Sequence, residues 1–349
     1  MSVYIQSVSQ ISAQLPLSEA WFEAPVYHEA NRVATLDPDF TASLSPVQSR
    51  RMCRLLKRVI VTARTTLKSA GVDMPDAIIS GTGLGCIDNT EKFLHSILKN
   101  GEQYLQPTYF MQSTHNIISS LIAIDLKCHG YNNTWVHRGV SFEHALLDAL
   151  LQFRQRRIRT ALTGGYDEMT DCYYLFLGRL GHWNFSRMPA LSPKQRCFAG
   201  EVAVSLLLSD ECSRHSLCEI NGVELLFRPS AADMRRALDT LLAQAGCTLT
   251  DIDAVMTGMN NHPQNDPVYE AAAAGLFAGR PLAQYKHLFG QSFTSSALGI
   301  YASAVCLRNG HIPAHLMTDR EERLDPVRRI LLYNHFNNTS HSLTLLSRC

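Results

Sequence analysis

Thr134-Trp135-Val136-His137-Arg138-Gly139-Val140-Ser141-Phe142-Glu143-His144-Ala145 leads into a helical run over 146–157 and then a strand-like stretch ending in Gly164-Gly165. The order is strand, sharp turn, helix, strand. A turn at a helix N-terminus is where the backbone dipole favours negative charge. A cysteine set there is held as a nucleophilic thiolate. Here the turn carries His137, Arg138 and Gly139, and the nearest cysteines along the chain are Cys128 before the strand and Cys172 after the next one. The frame of a catalytic turn is present without the residue that would do the chemistry.

Working outward, strand and helix signals alternate on both sides of this unit. Strands are expected at 3–8, 77–81, 133–137, 159–165 and 200–208, with helices over 45–70 and 113–128. Ser45-Pro46 opens the first helix, Ser as cap and Pro in the first turn. The 113–128 run is apolar on most of its circumference, which predicts a buried helix. After a polar connection at 209–216 the style repeats, with strands at 219–227, 254–258, 329–334 and 342–346 and helices at 230–245, 267–276 and 295–307. Ser230 is the expected cap and Gly246 the expected stop of the 230–245 helix. Such alternation implies α/β layers. The similar order suggests two duplicated halves, 1–212 and 213–349, although no sequence repeat is visible.

Composition narrows the function classes. The chain has 349 residues, 46% hydrophobic and 18% charged, with a net charge of +1. That describes a well-buried globular protein with no overall electrostatic footprint for nucleic acid. The basic run 154–159 reads first as a solvated helix end, with docking of an acidic carrier protein as a further reading. The ten cysteines show no Cys-x-x-Cys and no paired Cys/His ligand spacing. They are expected as reduced, mostly core residues of a cytoplasmic protein, with no metal or other cofactor. No basic-then-apolar leader opens the chain, and no apolar run approaches the roughly 18 residues of a membrane span.

Several segments carry a family likeness. Ser80-Gly81-Thr82-Gly83-Leu84-Gly85 is similar to an early glycine loop, and Gln112-Ser113-Thr114-His115-Asn116 to the start of an interface helix. Arg196-Cys197-Phe198-Ala199-Gly200-Glu201, the stretch 234–253, Lys286-His287-Leu288-Phe289-Gly290-Gln291 and Arg308-Asn309-Gly310-His311-Ile312-Pro313 follow in order. Together they resemble the β-ketoacyl synthases. The resemblance implies an α/β, thiolase-like fold whose duplicated halves make a five-layered αβαβα arrangement. The glycine loop lacks the spacing of a dinucleotide fingerprint and any Gly-Lys-Ser/Thr, so a structural turn is expected there.

Active members use one cysteine and two histidines. Carried over, the nucleophile position falls on Gly139, or with a one-residue shift on Arg138. The first histidine is matched by His262, and the second is replaced by Gln291, which cannot shuttle a proton near neutral pH. The family's glycine-rich C-terminal turn stands as Asn334-His335-Phe336-Asn337-Asn338-Thr339. His137, Arg138, Glu143 and His144 could fill the vacated site as a polar cluster, or lie on solvated surface.

The resemblance therefore points to a catalytically silent, chain-length-factor-like subunit. It would pair with an active ketosynthase as a heterodimer, meet acyl carrier protein through that complex, and serve fatty-acid-like or polyketide synthesis, aryl polyenes included. The implied tunnel and interface residues are Phe110, Met111, Thr114, Ile117, Ile118 and Leu121, the last four spaced to share one helix face. A divergent active acyltransferase using His262 with Cys86 or Cys197, and a homo-oligomeric acyl-binding scaffold, are the alternatives.

Overall fold

The computed structural model describes residues 2–182, 197–318 and 321–349. Ten strands run in chain order: β1 Val3–Ile11, β2 Ala77–Gly81, β3 Tyr131–Trp135, β4 Thr160–Asp167, β5 Val202–Ser209, β6 Cys218–Phe227, β7 Ala254–Thr257, β8 Leu282–Gln284, β9 Arg329–Phe336 and β10 Ser340–Ser347. The helices are α1 Pro46–Arg50, α2 Arg54–Ala70, α3 Ile87–Asn100, α4 Pro107–Ser113, α5 Ile117–Leu126, α6 Ser141–Arg154, α7 Asp171–Arg179, α8 Ala231–Gln244, α9 Asp266–Ala274, α10 Lys286–Phe289 and α11 Ser296–Asn309. Among the described residues no helix is long and apolar enough to cross a membrane.

Hydrogen bonding orders the strands β3-β2-β4-β5-β1-β6-β10-β9-β7-β8. Read outward from the centre, the first half runs β1-β5-β4-β2-β3 and the second β6-β10-β9-β7-β8. The two orders are the same with each number raised by five, so topology carries the duplication that sequence hides. Among the described strands the two half-sheets are stitched together where Val3, Tyr4 and Ile5 pair with Ile220, Glu219 and Cys218.

Burial resolves the layers. Alternate residues of one strand face opposite sides, and β5 sends Leu206 and Leu208 into a central core but Ala203 and Leu207 into an outer one. The outer core of the first half is closed by α2 and α5. In the second half, β9 sends Ile330 and Leu332 inward but Leu331 and Tyr333 outward, onto α8 and α9. Between the half-sheets lie α6 and α11, with Phe142, Leu146, Ala302 and Val305 in the shared core. The layers are helices, half-sheet, helices, half-sheet, helices. In α11 every residue from Ser296 to Leu307 is buried. Gly299 is required there, because a Cβ would stand 2.9 Å from the Tyr285 ring and 3.0 Å from Leu332.

Three expectations need correction. The 45–70 helix is broken: Ser45 and Gln48 form the capping box of α1, and Cys53 restarts the chain as α2. The break lets α2 turn Leu55, Val59 and Ile60 inward while α1 buries nothing. The 113–128 helix is also broken, because Thr114 takes an extended conformation after α4. Its second piece, α5, is not enclosed: Ile118, Ser119 and Ile122 are buried, whereas Ile124 is 70% exposed. The strand expected at 133–137 is β3, two residues earlier, and it forms one edge of the sheet.

Candidate functional site

The turn between β3 and α6 is built from both ends. Asp148 of α6 accepts from Tyr131 Oη (3.1 Å), Asn133 Nδ2 (3.1 Å), Trp135 Nε1 (2.9 Å) and Gln152 Nε2 (3.1 Å). Residues 131, 133 and 135 share one face of the strand, so a single carboxylate fixes that face to the helix. On the opposite face Asn132 donates to the Ser119 carbonyl at 3.0 Å, and Thr134 bonds the Ser119 hydroxyl. In the turn, Ser141 Oγ accepts from the His137 N–H and donates to the Arg138 carbonyl, both at 2.7 Å. Arg138 has φ 50°, a left-handed conformation that a side chain adopts only where its surroundings impose it.

No side chain fits at 139. A Cβ on Gly139 would lie 2.4 Å from Phe336 Cδ2 and 2.6 Å from Cγ. Phe336 ends β9, and the hairpin beyond it carries Asn337 and Asn338, both at φ 51°, with Thr339 N donating to the Phe336 carbonyl at 3.0 Å. Two successive positive φ values make the two-residue hairpin turn that matches strand twist, and Asn tolerates them. The Phe336 ring stacks on His182 at 6.0 Å and meets Phe293 at 5.6 Å.

Around this plug lies a cleft lined by His182, Asn260, Tyr269, Lys286, Gln291 and His335, among others. The cavity left between them is ≈30 Å³, space for a water or two and not for an acyl chain. Lys286 is 5% exposed, and burial pulls its amine down to about 8 against the pull of Cys197, Asp266 and Glu143. Asp266 accepts from the Asn260 N–H at 3.0 Å. Burial holds His335 down at about 3. Its Nε2 donates to the Asn265 carbonyl (2.9 Å) while Nδ1 accepts from the Asn338 N–H (3.2 Å). Asp266 and both His335 nitrogens are thus satisfied inside the fold.

His262 is 8% exposed and does not line the cleft. Its Nδ1 accepts from the Gln264 N–H at 3.3 Å, which leaves the proton on Nε2, bonded to the Gly181 carbonyl at 2.6 Å. Both nitrogens thus hold a loop. Gln291 does line the cleft, accepting from Asn260 Nδ2 (3.4 Å) and donating to the Ser292 carbonyl (2.9 Å). The polar cluster expected around the turn divides. His137 and His144 stack at 4.6 Å and His144 on Trp135 at 5.5 Å. Glu143 instead points into the central layer, where its Oε1 accepts from Ser342 Oγ at 3.1 Å. Burial pushes its carboxyl up to about 7.

The glycine loop is the expected structural turn. Asp167 accepts from Thr82 Oγ1, Gly83 N and Leu84 N with one oxygen, and from Thr294 N and Oγ1 with the other, so the loop's donors are already used. Neither candidate cysteine is a thiolate. Burial pushes Cys197 up to about 12, and a hydrogen bond with Cys53 together with burial pushes Cys86 well up. Arg196 lies outside the described residues. Of the tunnel set, Phe110, Met111 and Thr114 are exposed, Ile117 and Leu121 half-buried, and Ile118 fully buried in the chain's own outer core. Ile117, Ile118 and Leu121 all pack on that core, whereas Thr114 stands before the helix. Phe336, Lys286 and Asp266 were not singled out individually from sequence. The missing glycines in 334–339 were the only signal for Phe336.

Comparison with known proteins agrees with this architecture. Residues 19–191 match the β-ketoacyl synthase N-terminal domain. The ishigamide ketosynthase/chain length factor is similar in structure, with TM-score 0.80 at 20% identity over 100% of this chain and 99% of that chain. A β-ketoacyl synthase from Burkholderia phymatum gives TM-score 0.81 at 14% identity, covering 100% and 99%. A ketosynthase in complex with its chain length factor from Xenorhabdus doucetiae gives 0.80 at 13%, covering 100% and 98%. No curated protein matches the chain in sequence. The fold is the thiolase-like fold of the ketosynthases.

Proposed function

From a chain whose residues 19–191 belong to the β-ketoacyl synthase N-terminal domain family, we propose a subunit that keeps the ketosynthase frame and does not catalyse condensation. One observation carries this reading. The position that would present the nucleophile is a glycine, and the Phe336 ring occupies the space its side chain would need. Acyl transfer to a ketosynthase needs a thiolate at that turn, and the cysteines of the divergent-enzyme alternative are pushed toward the protonated thiol, Cys197 by burial and Cys86 by its hydrogen bond with Cys53 together with burial.

The subunit's partner would be an active ketosynthase, joined along the free edge of β3. That strand has its inner side paired with β2 and no strand on its outer side among the described residues, where Asn133 Oδ1 accepts from the Thr134 N–H at 2.9 Å. An open edge beside apolar surface is a template for another chain. Around it Phe110, Met111, Ile124, Tyr131 and Val136 are between 40% and 70% exposed. Phe110 and Met111, exposed on the chain, would face the partner's acyl tunnel and limit product length. Ile118, inside its own core, is not. The division between halves is placed at 212/213, acyl carrier protein is the carrier met by the complex, and polyketide synthesis of the aryl polyene kind is the pathway class.

Co-expression with a ketosynthase that retains its cysteine and both histidines tests this. The expected result is a one-to-one complex whose products lengthen when Phe110 or Met111 is changed to Ala. Recovery of homodimers only, with no effect on the synthase, would overturn the reading.

A further inference from the structure

Away from the cleft, the connection 210–217 crosses the corner where the two halves meet. Gln6 of β1 holds it, donating to the Glu211 carbonyl at 2.7 Å and accepting from the Ser213 and Ser216 hydroxyls at 2.8 and 3.1 Å. Cys218 opens β6, and β10 runs antiparallel to it with Ser347 opposite Glu219. Continuing that register places Cys349 beside Leu217, at the end of the connection that carries Cys212. The Cys212 and Cys349 thiols are within hydrogen-bonding reach of each other. Both residues are exposed, and among the free cysteines only these two are, whereas the neighbouring Cys218 is buried.

We propose that Cys212 and Cys349 are a disulfide-forming pair that closes the second half of the chain into a ring. This stands independently of the ketosynthase reading. The oxidant is a small-molecule disulfide such as oxidised glutathione. The Cys212 thiolate attacks one of its sulfurs and expels a glutathione thiolate. The Cys349 thiolate then attacks the Cys212 sulfur and expels the second. Two protein thiols give up two protons and two electrons, and one oxidised glutathione becomes two reduced ones. Partial burial of its sulfur and the adjacent Cys212 push the Cys349 thiol up to about 12. The small thiolate fraction slows the second step, and proximity offsets this because the step is intramolecular.

The bond would tie the end of β10 to the connection between the halves. A cross-link spanning so long a segment restricts the unfolded chain most. The test is incubation of the full chain with oxidised glutathione, followed by denaturing intact mass, peptide mapping and thermal unfolding. The expected product is a Cys212–Cys349 linkage, with loss of two hydrogens and a melting temperature raised by several degrees. Dithiothreitol reverses both changes, and Cys212→Ser and Cys349→Ser each abolish them. Glutathione retained on Cys212, a Cys218–Cys349 linkage, a bond between two chains through Cys212, or two thiols left free would each overturn the proposal.

Discussion

The cleft beside Gly139 and the edge beside β3 lie on the same strand–turn–helix unit, yet they are finished in opposite ways. In the cleft Phe336 fills the nucleophile's space, and the His335 nitrogens are bonded within the fold. At the edge the strand's faces are pinned by Asp148 and Ser119, but no described strand pairs with its outer side and Ile124 and Met111 stand 70% and 62% exposed. Rigid but unpartnered surface is what recognition of another chain needs. A filled and satisfied cleft is what turnover cannot use.

The largest effect is expected at the edge. Ile124→Asp would bury an unpaired charge against the partner and weaken association by about 100-fold or more, about 3 kcal/mol. Sedimentation of the complex reads this directly. Unchanged association would remove the contrast between the two regions.

On the closed side, Glu143 seals the central layer with a carboxyl whose folded-state pKa of about 7 lies above the ordinary 4.5. The folded state therefore holds the proton more tightly, and this group's contribution to stability falls as pH rises from 4.5 to 7. Glu143→Gln keeps an acceptor for Ser342 and removes the charge. Its stability relative to the parent should be flat below pH 4.5 and should gain about 3 kcal/mol by pH 7.5. Denaturant midpoints across that range check it. A gain that instead appears on acidification would reverse the sign.

Gly139→Cys forces a side chain into the Phe336 ring, and overpacking of this kind costs about 1–3 kcal/mol. Adding Phe336→Ala should recover part of the loss. If Gly139→Cys is as stable as the parent, the ring is not a plug. The smallest effect belongs to the hairpin that holds Phe336. Asn338→Gly, at φ 51°, should stabilise by about 0.5 kcal/mol, because glycine meets no Cβ penalty in this turn.

Local signals in the sequence survived into the structure. Ser45 and Ser230 cap as expected, Gly246 stops α8 at φ 62°, and the strand at 77–81 is β2. Long-range geometry did not show. The spacing of Thr114, Ile117, Ile118 and Leu121 satisfies a helix, but Ser119 is drawn in to bond Asn132 and Thr134, which carries Ile118 into the chain's own core. Gly139 was legible as a position without a nucleophile. That Phe336 fills it was not, because the two residues meet only through the second half-sheet. Glu143 is next to His144 in sequence but on the other side of α6, a separation that helical geometry permits and a cluster reading overlooks.

The central claim is that the turn at Gly139 is chemically silent, and covalent loading measures it most directly. The purified chain is incubated with acyl- and malonyl-carrier protein, and separately with a cysteine-directed ketosynthase inhibitor, and its intact mass is recorded. The account predicts an unmodified mass and no release of carbon dioxide. An acyl or inhibitor adduct on any cysteine near one per chain would contradict it.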